Sequence, residues 1–549
     1  MSAAKPSTAK TAKKLNPAGA EKLKAQGNAL FAQRKWAGAH AKYSEAIEQD
    51  DTNPVYWANR AACNLETKDY LEACTDAGTA IDLDPTYAKA WGRLGAAQRA
   101  VANYEGSISA YKKALEVLPS ADNMTPADKK LEEQFSNALE LVLEEQKNSP
   151  RKSNAVMIGA EKPSDLDDAL PWNRAENMAE ELHEAGNRDS SVWLILGAYE
   201  KFKEGVAIMN LLTSATTGNQ RATTGGKNAI AHIVGGLIRD QRVFHAERTF
   251  FERFPLQVRL ELSSKKAWDC SNAVIKKEAK ERLETQSWNV VCESLYTTIW
   301  VWILRAFLMN SSGAHPMGME LYGKALELIE WGRETWRDAP EDPDADLYMF
   351  DPVVGRGVRT LYLNSIMDAL SKGTTEKYTF QDLIKMAQTL VDDVEANPPA
   401  SLDDVEPQDY LAFWVNPKAE ALSMIGFCYM RMAHKAREPS ARKREFSKAA
   451  EYYTKSAESF PEDDEKRVYF LTLALEALWG REAPVKETLP VVEKAKKSIP
   501  KMKKIWEHSA MSKRRDASIT LMLQFEKQVR KALKSGRMTM DGVAKPQMP

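Results

Sequence analysis

Lys24, Asn28, Asn59, Lys89 and Arg93 are the residues of this chain whose types and spacing suit them to act together. Lys24 and Asn28, and again Lys89 and Arg93, stand four residues apart, which puts each pair on one face of a helix. Lysine offers a flexible point charge, arginine a planar fork of donors, and asparagine a neutral donor that fixes orientation. Three cations and two amides turned into one groove would take a carboxylate-rich peptide. Charge-assisted hydrogen bonds contribute about 1.5–3 kcal/mol each. Several of them, less the cost of ordering a peptide, predict roughly micromolar affinity, or about −8 kcal/mol. Salt should weaken such binding, because exposed charges are screened over about 10 Å at 0.1 M.

A repeat with a period of 34 residues must position them. Segments 20–53, 54–87 and 88–121 align without gaps. Their fourth positions are Leu23, Trp57 and Trp91, and their eighth are Gly27, Ala61 and Gly95. The twentieth positions are Ala39, Ala73 and Ser107, the twenty-fourth Tyr43, Ala77 and Tyr111, and the twenty-seventh Ala46, Ala80 and Ala114. Small residues at positions 8, 20 and 27 let two antiparallel helices approach closely, the larger ones fill the gap between repeats, and Pro85 and Pro119 stop the second helix. The last apolar face of such a solenoid needs a cap. Thr125 as N-cap, Pro126 and Asp128 start a helix over 126–146, whose stripe of Leu131, Phe135, Ala138, Leu139, Val142 and Leu143 would supply it.

This pattern over 20–121 resembles the tetratricopeptide repeat (TPR) family, and "LKAQGN", "WANRA" and "YAKAWGRLG" resemble its carboxylate-clamp subset. The resemblance implies an all-α solenoid of helical hairpins. It implies a cochaperone or adaptor whose groove holds the final aspartate of an EEVD-type tail of Hsp70 or Hsp90, with Lys24, Asn28, Asn59, Lys89 and Arg93 as the clamp. It is nearer to the Hop and small glutamine-rich TPR types than to clamp proteins carrying prolyl-isomerase, phosphatase or U-box domains, yet the chain has neither Asp-Pro-rich modules nor a glutamine-rich end.

At 549 residues the chain exceeds one compact core. Its net charge of −1 argues against whole-chain nucleic-acid or membrane binding, and five scattered cysteines imply free thiols in a reducing compartment, hence a cytoplasmic protein. The most apolar run, Ile299 to Met309, is too short to span a bilayer and contains Arg305, so a buried helix is expected. No catalytic or metal motif stands: "TTGGKN" has Arg221 where the first phosphate-loop glycine belongs, the seven histidines show no paired spacing, and 341–351 lacks the EF-hand glycine. No cofactor and no enzymatic activity are expected.

The expected organisation is a disordered basic tail (1–19), three repeats (20–121), a capping helix (122–150), a linker (151–170), a helical domain (171–410), a helical TPR-like region with a basic end (411–535) and a disordered tail (536–549). Residues 213–226 read as a mobile loop. Degenerate repeat units are expected at 299–332, on Trp302, Ala306, Gly318, Tyr322 and Ala325, and around Gly426 and Tyr453, where an insertion of eleven residues would push the two helices apart. The basic stretch 486–537 reads as a solvated helix face. The C-terminal region would contact a client or second protein. The alternatives are a scaffold for another acidic C-terminus and an enzyme with a motif-free helical domain.

Overall fold

The computed structural model describes residues 16–67, 69–100, 104–148, 170–217, 220–336 and 349–546. The chain forms two compact units, residues 1–153 and 154–549. The first is built of α1 (Pro17–Ala32), α2 (Trp36–Gln49), α3 (Pro54–Thr67), α4 (Tyr70–Leu83), α5 (Ala88–Ala100), α6 (Tyr104–Glu116) and α7 (Pro126–Asn148). Antiparallel pairs α1/α2, α3/α4 and α5/α6 follow the 34-residue period.

The small positions of the repeat work by close approach. A Cβ on Gly27 would lie 2.6 Å from the Tyr43 ring, and one on Gly95 would lie 3.0 Å from the Tyr111 ring. Ser107 Oγ donates to Gly95 O at 2.7 Å, tying α6 to α5 where the helices cross. The second repeat has Ala77 in place of a tyrosine and is locked differently. Arg60 makes a two-pronged ion pair to Asp76, at 2.7 and 2.8 Å, and Asn64 donates to the same buried carboxylate at 3.0 Å. Helix α7 opens on reciprocal Thr125/Asp128 hydrogen bonds of 3.0 and 3.2 Å. It buries Phe135 against Gly92, where even a methyl group would be 2.2 Å from the ring. Helix α1 starts at Pro17, three residues before the expected repeat boundary, with Asn16 accepting from Gly19 N. The rest of the predicted N-terminal tail and most of the predicted linker lie outside the described residues.

The second unit comprises α8 (Pro171–Glu184), α9 (Ser191–Asn210), β1 (Thr213–Thr217), β2 (Gln220–Thr224), α10 (Ala229–Arg239), α11 (Arg248–Ser264), α12 (Asn272–Leu283), α13 (Trp288–Ser312), α14 (His315–Thr335), α15 (Pro352–Lys372), α16 (Phe380–Ala396), α17 (Pro407–Tyr410), α18 (Asn416–Lys435), α19 (Pro439–Ser459), α20 (Glu465–Gly480), α21 (Val485–Trp506) and α22 (Ser512–Lys534). The fold class is all-α with one exception. The segment expected to be a loop holds an antiparallel hairpin, with Thr213 opposite Thr224 and Thr217 opposite Gln220. Threonine-rich stretches favour strands, and only two residues separate these.

Helix α13 is long and apolar enough to cross a membrane by composition, but 78% of its most apolar window is buried within the fold, so its apolarity is spent on the core. Arg305 reaches out of it to Asp269 at 2.8 Å. Helices α13 and α14 form the hairpin expected at 299–332, with Gly318 packed against the Ala306 carbonyl. Helices α18 and α19 form the other, and here the sequence expectation needs correction. No inserted loop separates the helices, which are 20 and 21 residues long with three residues between them. The eleven extra residues lengthen both helices, so Gly426 still meets its tyrosine, Tyr453.

Two boundaries also move. Residues 407–435 run continuously through α17, a π-helical turn at Leu411–Val415 and α18, so no division falls at 410/411. Pro417, which cannot donate a backbone hydrogen bond, sits beside that turn. The C-terminal segment through Pro546 is described, and its backbone pairs with the start of α21: Val485 N donates to Gly542 O at 2.9 Å and Lys486 N to Met540 O at 2.8 Å. Only 547–549 of the expected tail lie outside the described residues.

Candidate peptide-binding groove

The five candidate residues lie on the first helix of each repeat: Lys24 and Asn28 on α1, Asn59 on α3, Lys89 and Arg93 on α5. The structure joins three of them in one hydrogen-bonded line. Both Arg93 Nη1 and Nη2 donate to Asn59 Oδ1 at 3.3 Å, and Asn59 Nδ2 donates to Asn28 Oδ1 at 3.3 Å. Asn28 Oδ1 accepts a second bond, of 2.7 Å, from the Tyr43 hydroxyl. Each amide oxygen thus uses both of its lone pairs inside the protein. The Asn28 amide hydrogens, the second Asn59 amide hydrogen and the remaining Arg93 N–H groups are the polar capacity left over. All of it is donor capacity, and its complement is an acceptor-only group such as a carboxylate.

Charge leads to the same ligand. Burial pulls the Arg93 guanidinium below its ordinary pKa, opposed by Tyr87, Tyr43 and Cys63. A guanidinium nevertheless stays protonated in proteins. No carboxylate pairs with it among the described residues, so a partly desolvated cation is balanced only by neutral groups. Cys63 lies behind it as a buried thiol, pushed up to about 12 by burial and therefore neutral. The Tyr43 phenol is likewise raised to about 12 by burial and remains a hydrogen-bond donor at neutral pH.

The other two cations stand apart from this line. Lys24 is half-buried and pairs with Glu21 one turn earlier on α1. That ion pair holds the Glu21 carboxyl below its usual range, and the Tyr56 hydroxyl donates to Glu21 Oε2 at 3.3 Å. Lys89 is exposed, with no hydrogen-bond or ion-pair partner among the described residues. Asp128 at the start of α7 is kept below the ordinary carboxylate range first by the Thr125 hydroxyl and backbone, and to a smaller extent by Lys89. Tyr43 and Glu21 also bond to members of this set, Tyr43 to Asn28 across the α1/α2 hairpin and Glu21 to Lys24 one turn away. In the sequence Tyr43 left a trace, as the aromatic at position 24 of its repeat, but the direction of its hydroxyl depends on how two helices pack.

No family model matches the chain. Among curated proteins it is similar to the small glutamine-rich tetratricopeptide repeat-containing protein 2 of Saccharomyces cerevisiae, 39% identical over 141 residues, which cover 26% of this chain and 40% of that protein. It is also similar to the heat-shock protein cognate co-chaperone sgt12 of Aspergillus fumigatus, 34% identical over 155 residues, covering 28% of this chain and 41% of that one. The chain therefore spans about two fifths of the length of these two relatives. Among solved structures it is similar to the first TPR of Spaghetti (RPAP3) bound to the HSP90 peptide SRMEEVD, at 30% identity and a TM-score of 0.20 over 23% of this chain and 98% of that one. Three gapless 34-residue hairpins with their capping helix, matched at these identities, make the N-terminal unit similar to the tetratricopeptide-repeat part of Sgt2-type co-chaperones.

Proposed function

We propose that this protein is a non-catalytic cytoplasmic cochaperone or adaptor whose N-terminal groove holds the free acidic C-terminus of Hsp70 or Hsp90, with Lys24, Asn28, Asn59, Lys89 and Arg93 as the clamp. One observation carries the reading: every amide oxygen along the Arg93–Asn59–Asn28 line is spent on an internal donor, so only donors and cations remain for a ligand. An EEVD tail supplies acceptors alone, in a side-chain carboxylate and a terminal one. Lys89, exposed and unpaired among the described residues, and Lys24, held only by a surface ion pair, are the flexible charges that close on it. Breaking the Lys24–Glu21 pair is cheap, because solvent screens the exposed Glu21 carboxylate. The relatives named above support a chaperone tail over other acidic C-termini. The five cysteines, none in a disulfide, suit a reducing compartment.

The test is capture from lysate by the intact chain and by its Lys89→Ala and Arg93→Ala variants. The intact chain should retain Hsp70 or Hsp90, and both variants should lose them with melting temperature unchanged for Lys89→Ala. Equal retention by all three would refute the clamp.

A further inference from the structure

The second unit contains a cleft of about 440 Å³ that the clamp reading does not use. It lies where the start of α8, the segment after α10, the end of α13, the last turns of α15 and the loop after α21 converge. Its size falls within the roughly 300–1,000 Å³ typical of ligand pockets. Four aromatic side chains, Trp172, Phe244, Phe307 and Trp506, line it together with Asp368.

Of the basic side chains lining the cleft, Arg242 and Lys466 are ion-paired and Lys372 is hydrogen-bonded. Arg242 lies against the Trp506 ring, 3.8 Å from its centre, and is ion-paired to Asp240 at 2.7 Å and Asp464 at 2.8 Å. Lys466 pairs with Glu420 at 2.5 Å. Lys372 donates to His315 Nε2 at 2.9 Å. Asp368 differs. It is half-buried on α15, accepts only a long 3.4 Å bond from Asn310 Nδ2, and has no ion pair among the described residues. Burial raises its carboxyl above the usual range, against the nearby Lys372 charge and the Asn310 bond. Lys372, one turn along α15, is near Asp368 but forms no ion pair with it, so a half-buried carboxylate still gains from a cation brought into direct contact.

We propose that this cleft is a second peptide-binding site, which takes an apolar side chain against Phe244 and Phe307 while a neighbouring lysine or arginine of the same peptide pairs with Asp368. Its ligand is thus opposite in charge to that of the N-terminal groove, so one chain would hold an acidic terminus and a basic-apolar segment by separate chemistry.

The experiment uses the full chain carrying Lys89→Ala and a fluorescein-labelled, C-terminally amidated peptide, acetyl-Ser-Leu-Phe-Lys-Arg-Ser, read by fluorescence anisotropy. The amide and the Lys89→Ala change exclude capture by the groove. The peptide should bind, the counterpart with Glu in both basic positions should bind at least about tenfold more weakly, and Asp368→Asn should cost at least about tenfold, in line with a desolvated charge pair. Ser311→Trp, which fills the cleft from its rim, should abolish binding with melting temperature kept. The proposal is overturned if neither peptide binds at millimolar concentration, if the two bind alike, or if both variants bind as the parent does.

Discussion

Tyr43 is the residue on which the groove's polarity turns. Its ring occupies the space left by Gly27, and its hydroxyl fixes the Asn28 amide with the oxygen inward and the nitrogen free. Tyr43→Phe keeps the ring and removes the bond. A net hydrogen bond is worth about 0.5–1.5 kcal/mol, so the melting temperature should fall by a few degrees, and affinity for an EEVD-type peptide should fall by up to about tenfold as the Asn28 amide loses its fixed orientation. Titration calorimetry with parallel thermal melts checks both. Arg93→Lys should cost more than tenfold, since a lysine cannot place two donors on Asn59 Oδ1 as the guanidinium fork does. The five candidate positions could be placed on the first helices of the repeats from the sequence, because a fixed period turns residue number into repeat position. The Tyr43 hydroxyl could not, because no spacing along one helix sets it, and the Glu21–Lys24 pair, though three residues apart on α1, is only one of the pairings that spacing allows. The first depends on how α2 crosses α1, and the second on which of several nearby charges a flexible lysine meets.

The recurring element is a helix pair closed by a small residue against a tyrosine: Gly27 with Tyr43, Gly95 with Tyr111, Gly426 with Tyr453. Gly426→Leu would force side-chain atoms into the Tyr453 ring and should destabilise the second unit by about 1–3 kcal/mol, read as a lowered melting temperature. The composition of this pairing is legible in both units. Its spacing is legible only in the first, because lengthening both helices by turns preserves the contact and erases the period. The hairpin at 213–224 escaped for a related reason: small polar residues suit a loop and a threonine-rich ribbon equally well until a register is seen. The basic end of the chain also resolves at this scale. Lys497 pairs with Glu462 at 2.7 Å and Lys501 pairs with the same carboxylate, which lowers the Glu462 pKa from 4.5 to about 2. A depressed folded-state value means that this stabilisation is full above about pH 4.5 and is lost as pH falls towards about 2. Glu462→Gln should therefore lower the melting temperature at pH 7, less so at pH 3, and hardly at all below about pH 2. A difference that did not change with pH would contradict the pairing.

On the scale of the whole molecule, the chain forms two compact units. The first was legible almost throughout, because local periodicity dictates it. The second rests on contacts between residues far apart in sequence, such as Arg242 with Asp464 and Trp506 with Ser191, and no pattern along the chain announces these. With a net charge of −1 over the whole chain, attraction for an acidic tail must come from the groove itself. Affinity should fall as salt rises from about 50 to about 500 mM, without loss of structure. The most direct measurement is calorimetry of the intact chain with one peptide ending in EEVD, prepared as the free acid and as the C-terminal amide. The clamp predicts roughly micromolar binding of the acid and at least a tenfold loss on amidation, with Lys89→Ala erasing the difference. Equal binding of acid and amide would contradict it.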